Sequence, residues 1–440
     1  MNGAGAPRRI GFLFNHDAAH QIAHTAGVMR AYALAQPRDE VLAIVGTPAI
    51  ASTVAALVGE DVAPHLRWHE LSLPMWEKAL LAPINRIAPV YRLARLRRHL
   101  DVFASCDLVV SPERTCLWVK RRLGEKSPPF VFIPHGAGDR NVSYHPALGG
   151  FDLMLVSGRK VADEMVRQGV TSPDRVRIVG YPKFDTIDLS RRVDPFGNGA
   201  PTFLYNPHFD PLLSSWYDHG NALIAAFRDD PSLGNLIVAP HVMLFRKKLH
   251  YSPEYHRLRK RPDVEGLPGS RTGGLIAPNI HVDLASPALF DMSYTLSADA
   301  YIGDASSQVY EFLIRPRPCF FFDVRGVSEG ADPDDPPADV RFWLAGEVVR
   351  TVPQLTAALR HWRESGERHR AAQISLFEET MSVPPLEEGE EEGEEAGAGQ
   401  HFAACRRAAE ELASYAHKLP FSAMMSQDNP LSLAQMQKKR

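Results

Sequence analysis

Short β-branched and aromatic runs alternate with longer helix-compatible segments along most of this 440-residue chain. Such alternation is typical of parallel α/β units, in which a helix follows each strand and returns the chain to the same edge of the sheet. In the first half, the predicted strands are 8–14, 40–46, 107–112, 130–136, 151–158 and 176–182. In the second half, they are 202–208, 236–242, 279–283, 300–304 and 318–323. The pattern predicts an α/β fold.

The segment RRVDPFGNGAP (191–201) interrupts this alternation with two prolines and two glycines, a composition typical of a linker. It divides the chain into two predicted α/β domains. The four predicted regions are a first domain at 1–192, a second domain at 193–385, an acidic flexible loop at 386–400 and a final helix with a polar tail at 401–440.

Composition narrows the class of protein. The chain is 45% apolar and 9% aromatic, which is sufficient for globular cores. Its net charge of -3 gives no general attraction to nucleic acid, so any anion site must be local. The four cysteines (Cys106, Cys116, Cys319 and Cys405) are far apart and form no C-x-x-C pair, which argues against structural zinc and disulfides. No signal-peptide core and no run of 18 apolar residues is present, so we expect a cytoplasmic protein.

The segment 71–100 mixes Leu, Ile, Trp and Tyr with six basic residues and one acid. One interpretation is an internal helical region with exposed arginines. The other is a basic amphipathic surface that rests on the anionic inner face of the cell membrane as a peripheral contact. Its prolines predict a helix break near Pro83 or Pro89.

Polar side chains directly follow several predicted strands. In an open α/β sheet, ligands bind at the carboxyl ends of the strands, where loops and helix N-termini surround a crevice. The residues at these positions are Asn15, His16, Asp17, His135, Gly136, His208, His241, Asp304, Ser306 and Ser307.

The stretch GDASSQVYEFL (303–313) carries the densest of these clusters. Ser306 or Ser307 could cap the helix that begins after them, or their hydroxyls and the free backbone N–H groups could bind phosphate. Asp304 would repel phosphate unless its carboxylate binds N–H groups or orients another residue. Glu311 either reaches a ribose hydroxyl or faces solvent.

Histidines supply candidate acid–base chemistry. His135 precedes a Gly-x-Gly turn and could accept a proton from an attacking hydroxyl, or it could be a hydrogen-bonded turn residue. His241 lies near a basic cluster that includes Arg246 and could bind phosphates. His16 and Asp17 are candidates for acceptor binding. The spacing of His16, His20 and His24 suits one helix face, but no zinc motif accompanies it, so we expect no metal site.

No G-x-G-x-x-G follows the first strand, and neither G-x-S-x-G nor the P-loop is present. Dehydrogenase, hydrolase and NTPase functions therefore lose support. The remaining pattern favours group transfer from a nucleotide-linked donor.

The ordered motifs resemble those of the CDP-glycerol glycerophosphotransferase family, which includes the teichoic acid polymerases. The resemblance covers roughly residues 130–325 and lies in five short motifs: IPHGAGDR, FDLMLVSGRKVADEMVRQGV with VRIVGYPKFD, YNPHFD, APH and GDASSQVYEFLIRPRPCFFFD. It implies a GT-B fold with two Rossmann-like domains facing across a cleft, the first on the acceptor side and the second binding the nucleotide donor, with no cofactor or catalytic metal.

The resemblance also implies roles for individual residues. His135 is the expected base for the acceptor hydroxyl, and His241, with Arg246, the expected contact of the donor pyrophosphate. Asp304, Ser306 and Ser307 are the expected donor contacts, and Glu311 joins them as a donor-binding candidate from its position one turn into the helix. The implied partners are CDP-glycerol and a membrane-linked glycan or polyol-phosphate acceptor; CDP-ribitol or a nucleotide sugar as donor, a UDP-sugar 2-epimerase and a non-catalytic assembly protein remain alternatives.

Overall fold

The computed structural model describes residues 7–16, 21–85, 89–139, 141–252, 255–267, 273–304, 306–383 and 403–420. The chain divides into two compact units. Unit 1 comprises Met1–His135, Tyr144–Ile187 and Ala396–Arg440, and unit 2 comprises Gly136–Ser143 and Asp188–Glu395. In this division, residues 136–143 group with the second unit and the end of the chain groups with the first.

Unit 1 is built on a seven-stranded parallel sheet. Its strands are β1 (Arg9–Phe14), β2 (Glu40–Val45), β3 (Arg67–Glu70), β4 (Leu108–Ser111), β5 (Phe130–Phe132), β6 (Leu153–Val156) and β7 (Val176–Ile178), in the order β3-β2-β1-β4-β5-β6-β7. All neighbouring pairs are parallel. The order reverses between β1 and β4, as in a doubly wound sheet. Central strands such as β4 are buried throughout because helices cover both faces, which explains their continuous apolar sequences.

The helices of unit 1 are α1 (Ala23–Ala35), α2 (Pro48–Val58), α3 (Met75–Asn85), α4 (Val90–Arg98), α5 (Leu100–Ala104), α6 (Leu117–Leu123) and α7 (Arg159–Arg167). The last helix of the described chain, which we number α13 (Ala404–Lys418), also packs here. Its apolar face joins the core of unit 1. A Cβ on Gly27 of α1 would lie 2.7 Å from the sulfur of Cys405, so the glycine permits this close packing.

Unit 2 contains a second seven-stranded sheet and a separate hairpin. Its strands are β8 (Thr202–Asn206), β9 (Asn235–Val238), β10 (Leu249–Ser252), β11 (Arg257–Lys260), β12 (Gly274–Ala277), β13 (Ile280–Val282), β14 (Ala300–Gly303), β15 (Cys319–Phe322) and β16 (Glu347–Val349). The sheet order is β12-β13-β9-β8-β14-β15-β16, and β10 pairs with β11 alone. Only β12–β13 is antiparallel in the sheet, and its order again reverses, between β8 and β14.

The helices of unit 2 are α8 (Trp216–Asp229), α9 (Ser293–Ser297), α10 (Gln308–Phe312), α11 (Val352–Leu359) and α12 (Trp362–Met381). Its core includes the buried side chains of Phe203, Tyr205, Leu236 and Phe320. Short 3-10 helices occur at Ala63–His65, Arg114–Cys116, Gly124–Lys126, Asn141–Tyr144, Pro146–Gly150, Pro173–Arg175, Pro231–Leu233, Pro287–Leu289 and Ala338–Ala345.

Each of the predicted strands overlaps an observed strand, so the α/β prediction is confirmed. The predicted helix break is also confirmed, since Pro89, which directly precedes α4, has a non-helical backbone (φ -75°, ψ 60°), whereas Pro83 is tolerated inside α3. None of the described helices is both long enough and apolar enough to cross a membrane. The predicted loop 386–400 lies outside the described residues.

Candidate functional site

The carboxyl edge of the unit 2 sheet gathers most of the predicted site residues. His208 follows β8, His241 follows β9 and Asp304 follows β14, and these three strands are neighbours in the sheet. The strand order reverses between β8 and β14, which is where open α/β sheets bind ligands. The candidate site is therefore centred on this strand junction.

Asp304 is buried at this junction and binds backbone N–H groups there. Its side chain is only 1% exposed, and its Oδ2 accepts hydrogen bonds from the backbone N–H of His208 (2.9 Å) and of Ser215 (3.0 Å). Burial raises the pKa of this carboxyl to about 7, against the lowering effect of these hydrogen bonds. Of the alternatives that the sequence left open, the structure shows a carboxylate that binds N–H groups and thereby fixes the loop after β8.

Two imidazoles lie side by side at this edge. The rings of His208 and His241 have centroids 5.5 Å apart, and the ring of Phe209 lies 4.4 Å from the first and 4.8 Å from the second. The backbone N–H of His241 also donates to the carbonyl of Pro207, 3.0 Å away. The loops after β8 and β9 are thus joined.

The hydrogen bonds of these rings assign their tautomers. Nδ1 of His208 accepts from the backbone N–H of Asp210 at 3.0 Å, and Nδ1 of His241 accepts from that of Met243 at 3.2 Å. A ring nitrogen that accepts carries no proton, so in each neutral ring the proton is on Nε2. Both histidines are therefore N–H donors at Nε2, a chemistry suited to anionic oxygens. The sequence placed His208 at a strand end but gave it no role.

The two serines sit at the start of a short helix. The hydroxyl of Ser306 accepts from the backbone N–H of Gln308 at 3.3 Å, so Ser306 performs the capping function. The helix α10 has only five residues, so its dipole adds little to anion binding. Glu311 is 4% exposed, which excludes the predicted alternative of a solvent-facing carboxylate.

The Gly-x-Gly turn packs against Ser307. A Cβ on Gly136 would lie 3.2 Å from the Ser307 hydroxyl oxygen, and one on Gly138 would lie 3.4 Å from its Cβ. The hydroxyl of Tyr310 donates to the carboxylate of Asp139. The glycines therefore permit close contact between residues 136–139 and the start of α10, a use that the sequence did not indicate. Arg246 is exposed in the turn that follows His241.

His135, in unit 1, has the opposite tautomer. Its Nδ1 lies 3.2 Å from the carbonyl oxygen of Pro112, which can only accept, so Nδ1 carries the proton. Nε2 then accepts from the side-chain amide of Gln21 at 3.2 Å. His135 is an exposed residue, yet desolvation by surrounding protein lowers its pKa below the ordinary value, which favours the neutral ring. A lone pair on Nε2 is what a general base requires.

The predicted residues near the start of the chain do not gather into a site in the described part of unit 1. His16 is 1% exposed and contacts the ring of Phe14 edge-on. Asp17 and His20 lie outside the described residues, whereas His24 packs against Tyr181 in the interior of unit 1. Within the part of the chain that the structure describes, no group of three His, Cys, Asp or Glu side chains could hold a metal ion.

Comparison with known proteins gives a fold likeness. No family model matches the chain, and no curated protein matches it by sequence. Among solved structures, a putative UDP-N-acetylglucosamine 2-epimerase from Listeria monocytogenes matches with a TM-score of 0.55 and 11% identity, covering 95% of this chain and 98% of that one. The wall teichoic acid polymerase TagF matches with a TM-score of 0.52 and 13% identity, covering 94% and 89%.

A third match is CalG4, the calicheamicin glycosyltransferase, with a TM-score of 0.52, 16% identity and coverage of 94% and 99%. The three structures belong to proteins of different activities, so at these identities they define the fold and leave the reaction open. The chain has a GT-B fold, with two Rossmann-like units each built on a seven-stranded sheet.

The buried carboxyl of Asp304 makes unit 2 sensitive to pH. Its pKa of about 7 exceeds the ordinary value of 3.8, so protonation favours the folded state. This contribution is fully present below about pH 4 and is lost as the pH rises towards 7. We expect the free energy of unfolding of the wild type to fall over this range relative to Asp304→Asn, by up to about 1.4 kcal/mol per pH unit.

Urea unfolding of both proteins at several pH values measures this difference and cancels groups common to both. Asp299→Asn, on the same unit but outside the junction, is the matched control. Parallel curves for wild type and Asp304→Asn would contradict the assigned environment.

Proposed function

We propose that the protein is a transferase that moves a glycerophosphate or related polyol-phosphate unit from a CDP-activated donor to a hydroxyl of a cell-envelope acceptor. The observation that carries the proposal is the pair of Nε2–H donors on His208 and His241 at the strand junction of unit 2. A pyrophosphate presents several anionic oxygens, which two adjacent neutral N–H donors can bind without a metal ion. The ordered motifs that resemble the glycerophosphotransferases support the same donor.

The proposed reaction is a displacement at phosphorus. The acceptor hydroxyl oxygen forms a bond to the glycerol-bearing phosphorus, the bond from that phosphorus to the bridging oxygen breaks, and CMP leaves. Nε2 of His135 takes the proton of the attacking hydroxyl, and its Nδ1–H is held by the carbonyl of Pro112. His241 donates to the phosphate that leaves with CMP, and His208 donates to the oxygens of the transferred phosphoryl group.

The other predicted contacts keep supporting roles in this proposal. Asp304 is a positioning residue, since its carboxylate holds the backbone of His208. Ser307 and Arg246 are proposed donor contacts at the margin of the site, while Ser306 caps α10. Glu311 is proposed to contact the donor through a side chain that is largely buried. His16 and Asp17 stay predicted acceptor contacts.

Separate variants of the histidines test this division of roles. We expect His241→Ala and His208→Ala to weaken CDP-glycerol binding about 10- to 100-fold, because each removes one hydrogen bond to a charged oxygen. His135→Ala should leave the donor dissociation constant unchanged and lower kcat about 10²- to 10⁴-fold. Calorimetry measures binding, and CMP release measures turnover.

His361→Ala, at an exposed position of unit 2, is the matched control and should behave as wild type. A panel of CDP-glycerol, CDP-ribitol and UDP-N-acetylglucosamine identifies the donor. Isomerisation of the UDP-sugar with CDP-glycerol untouched would refute the transferase proposal. No binding of any donor would support a non-catalytic assembly protein.

We also propose that α3 contacts the membrane, placing the protein at the cytoplasmic face. Met75, Trp76, Leu80 and Ile84 are 79%, 65%, 68% and 52% exposed, and no described residue of α3 is buried. Three of them recur every four residues and share one helix face. An apolar stripe of this kind is typical of an interfacial helix.

The basic residues of 71–100 are expected to contribute less to membrane attraction than their number suggests. Arg92 pairs with Glu113, Arg98 pairs with Glu77 at 3.0 Å, and Arg95 is buried. Arg86 lies outside the described residues. Lys78 and Arg97 are the basic residues of the segment left to contribute. Adsorption through α3 is therefore proposed to be mainly apolar.

Trp76→Ser/Leu80→Ser tests this contact. We expect the double variant to partition onto phosphatidylcholine vesicles about tenfold or more weakly than wild type, because two large apolar side chains lose their lipid environment. The difference should be similar at low and high salt. Leu34→Ser, at another exposed apolar position of unit 1, is the control for sedimentation. Equal partitioning of all three proteins would contradict the proposal.

A further inference from the structure

The β10–β11 hairpin of unit 2 has an inverted arrangement of side chains. Leu249 and Tyr251 are each 52% exposed, whereas the alternate residues His250 and Ser252 are buried. The antiparallel register sets Leu258, which is 59% exposed, opposite Tyr251. Paired residues share a face, so three apolar side chains point to solvent, whereas His250 and Ser252 point inward. A strand pair that packs on a core normally shows the reverse.

Inward hydrogen bonds hold the hairpin in this orientation. Nε2 of His250 donates to the carbonyls of Leu244 (2.9 Å) and Lys247 (3.0 Å). The hydroxyl of Ser252 donates to the carboxylate of Asp210 at 3.0 Å, within the buried interior. A register slip of one residue would exchange the faces and break these bonds. The outward position of the apolar side chains is therefore fixed by the fold.

Exposed cations surround this apolar face. Lys260 lies opposite Leu249 on the same face, and Arg246 and Lys247 precede β10. Within the described ranges, none of these three cations is in an ion pair. The neighbouring cations on the inner side are different, since Arg259 pairs with Asp218 at 2.7 Å. The hairpin thus combines an apolar centre with a cationic margin.

We propose that this face of the hairpin docks onto a lipid surface with anionic headgroups. Leucine side chains enter the acyl boundary, the tyrosine ring lies at headgroup level, and the cations contact lipid phosphates. Protein–protein interfaces are depleted in lysine, so the cationic margin favours lipid over a protein partner. The surface is distinct from α3, which belongs to unit 1, and it does not depend on the donor assignment.

Site-specific fluorescence tests the docking directly. All four native cysteines are buried, so Leu258→Cys can be labelled selectively with an environment-sensitive nitrobenzoxadiazole. Ala357→Cys, at an exposed position of α11, carries the control label. On vesicles of phosphatidylcholine with phosphatidylglycerol, we expect a blue shift and increased emission at position 258 and no change at position 357.

Charge reversal tests the cationic margin. Adding Lys247→Glu/Lys260→Glu to the labelled Leu258→Cys protein should lower its apparent affinity for these vesicles about tenfold or more, because each cation near an anionic surface contributes about fivefold. The emission spectrum without vesicles should stay the same, which shows that the hairpin is intact.

Three results would overturn the proposal. One is an unchanged spectrum at position 258 on anionic vesicles, and another is an equal change at both labelled positions. The third is a change at position 258 that depends on protein concentration without vesicles, since this would identify the face as a contact between copies of the chain.

Discussion

The two hydrogen bonds that the buried carboxylate of Asp304 accepts are the interaction on which the unit 2 site depends. They connect the end of β14 to the loop after β8 across the point where the strand order reverses. Hydrogen bonds to a charged acceptor contribute about 1.5–3 kcal/mol each, and the desolvation of the carboxylate opposes them. Burial raises the pKa of this carboxyl to about 7 against the lowering effect of the hydrogen bonds, so desolvation outweighs them while the carboxyl holds the backbone of His208.

The fixed backbone determines the chemistry of the side chains that it carries. At His208 and His241, the backbone N–H of the residue two positions later donates to Nδ1, so the proton of the neutral ring is on Nε2. At His135, Nδ1 faces the carbonyl oxygen of Pro112 instead, so the proton of the neutral ring is on Nδ1. At Nε2, His208 and His241 are thus hydrogen-bond donors, whereas His135 is an acceptor. The difference comes entirely from the backbone group that faces Nδ1.

The alternation of strand-like runs with helix-compatible segments was sufficient to predict the α/β fold. The central strands are buried on both faces, so each one appears in the sequence as a continuous apolar run. The strands that the sequence did not reveal are polar, edge-located or short, such as Arg67–Glu70 and the two four-residue strands of the hairpin. The position of the last helix in unit 1 depends on contacts distant in sequence, including the close approach at Gly27, which no local pattern encodes.

The candidate site could be predicted in part for similar reasons. Strand-end positions identified His208, His241 and Asp304, but the tautomers depend on loop geometry two residues beyond each ring. Measurement of the imidazole ¹⁵N shifts of His135, His208 and His241 at neutral pH, with resonances assigned from single His→Gln variants, tests the account most directly. The account predicts a protonated Nδ1 in His135 and a protonated Nε2 in both His208 and His241. A shared tautomer for all three rings would contradict the separation of base and phosphate-binding roles.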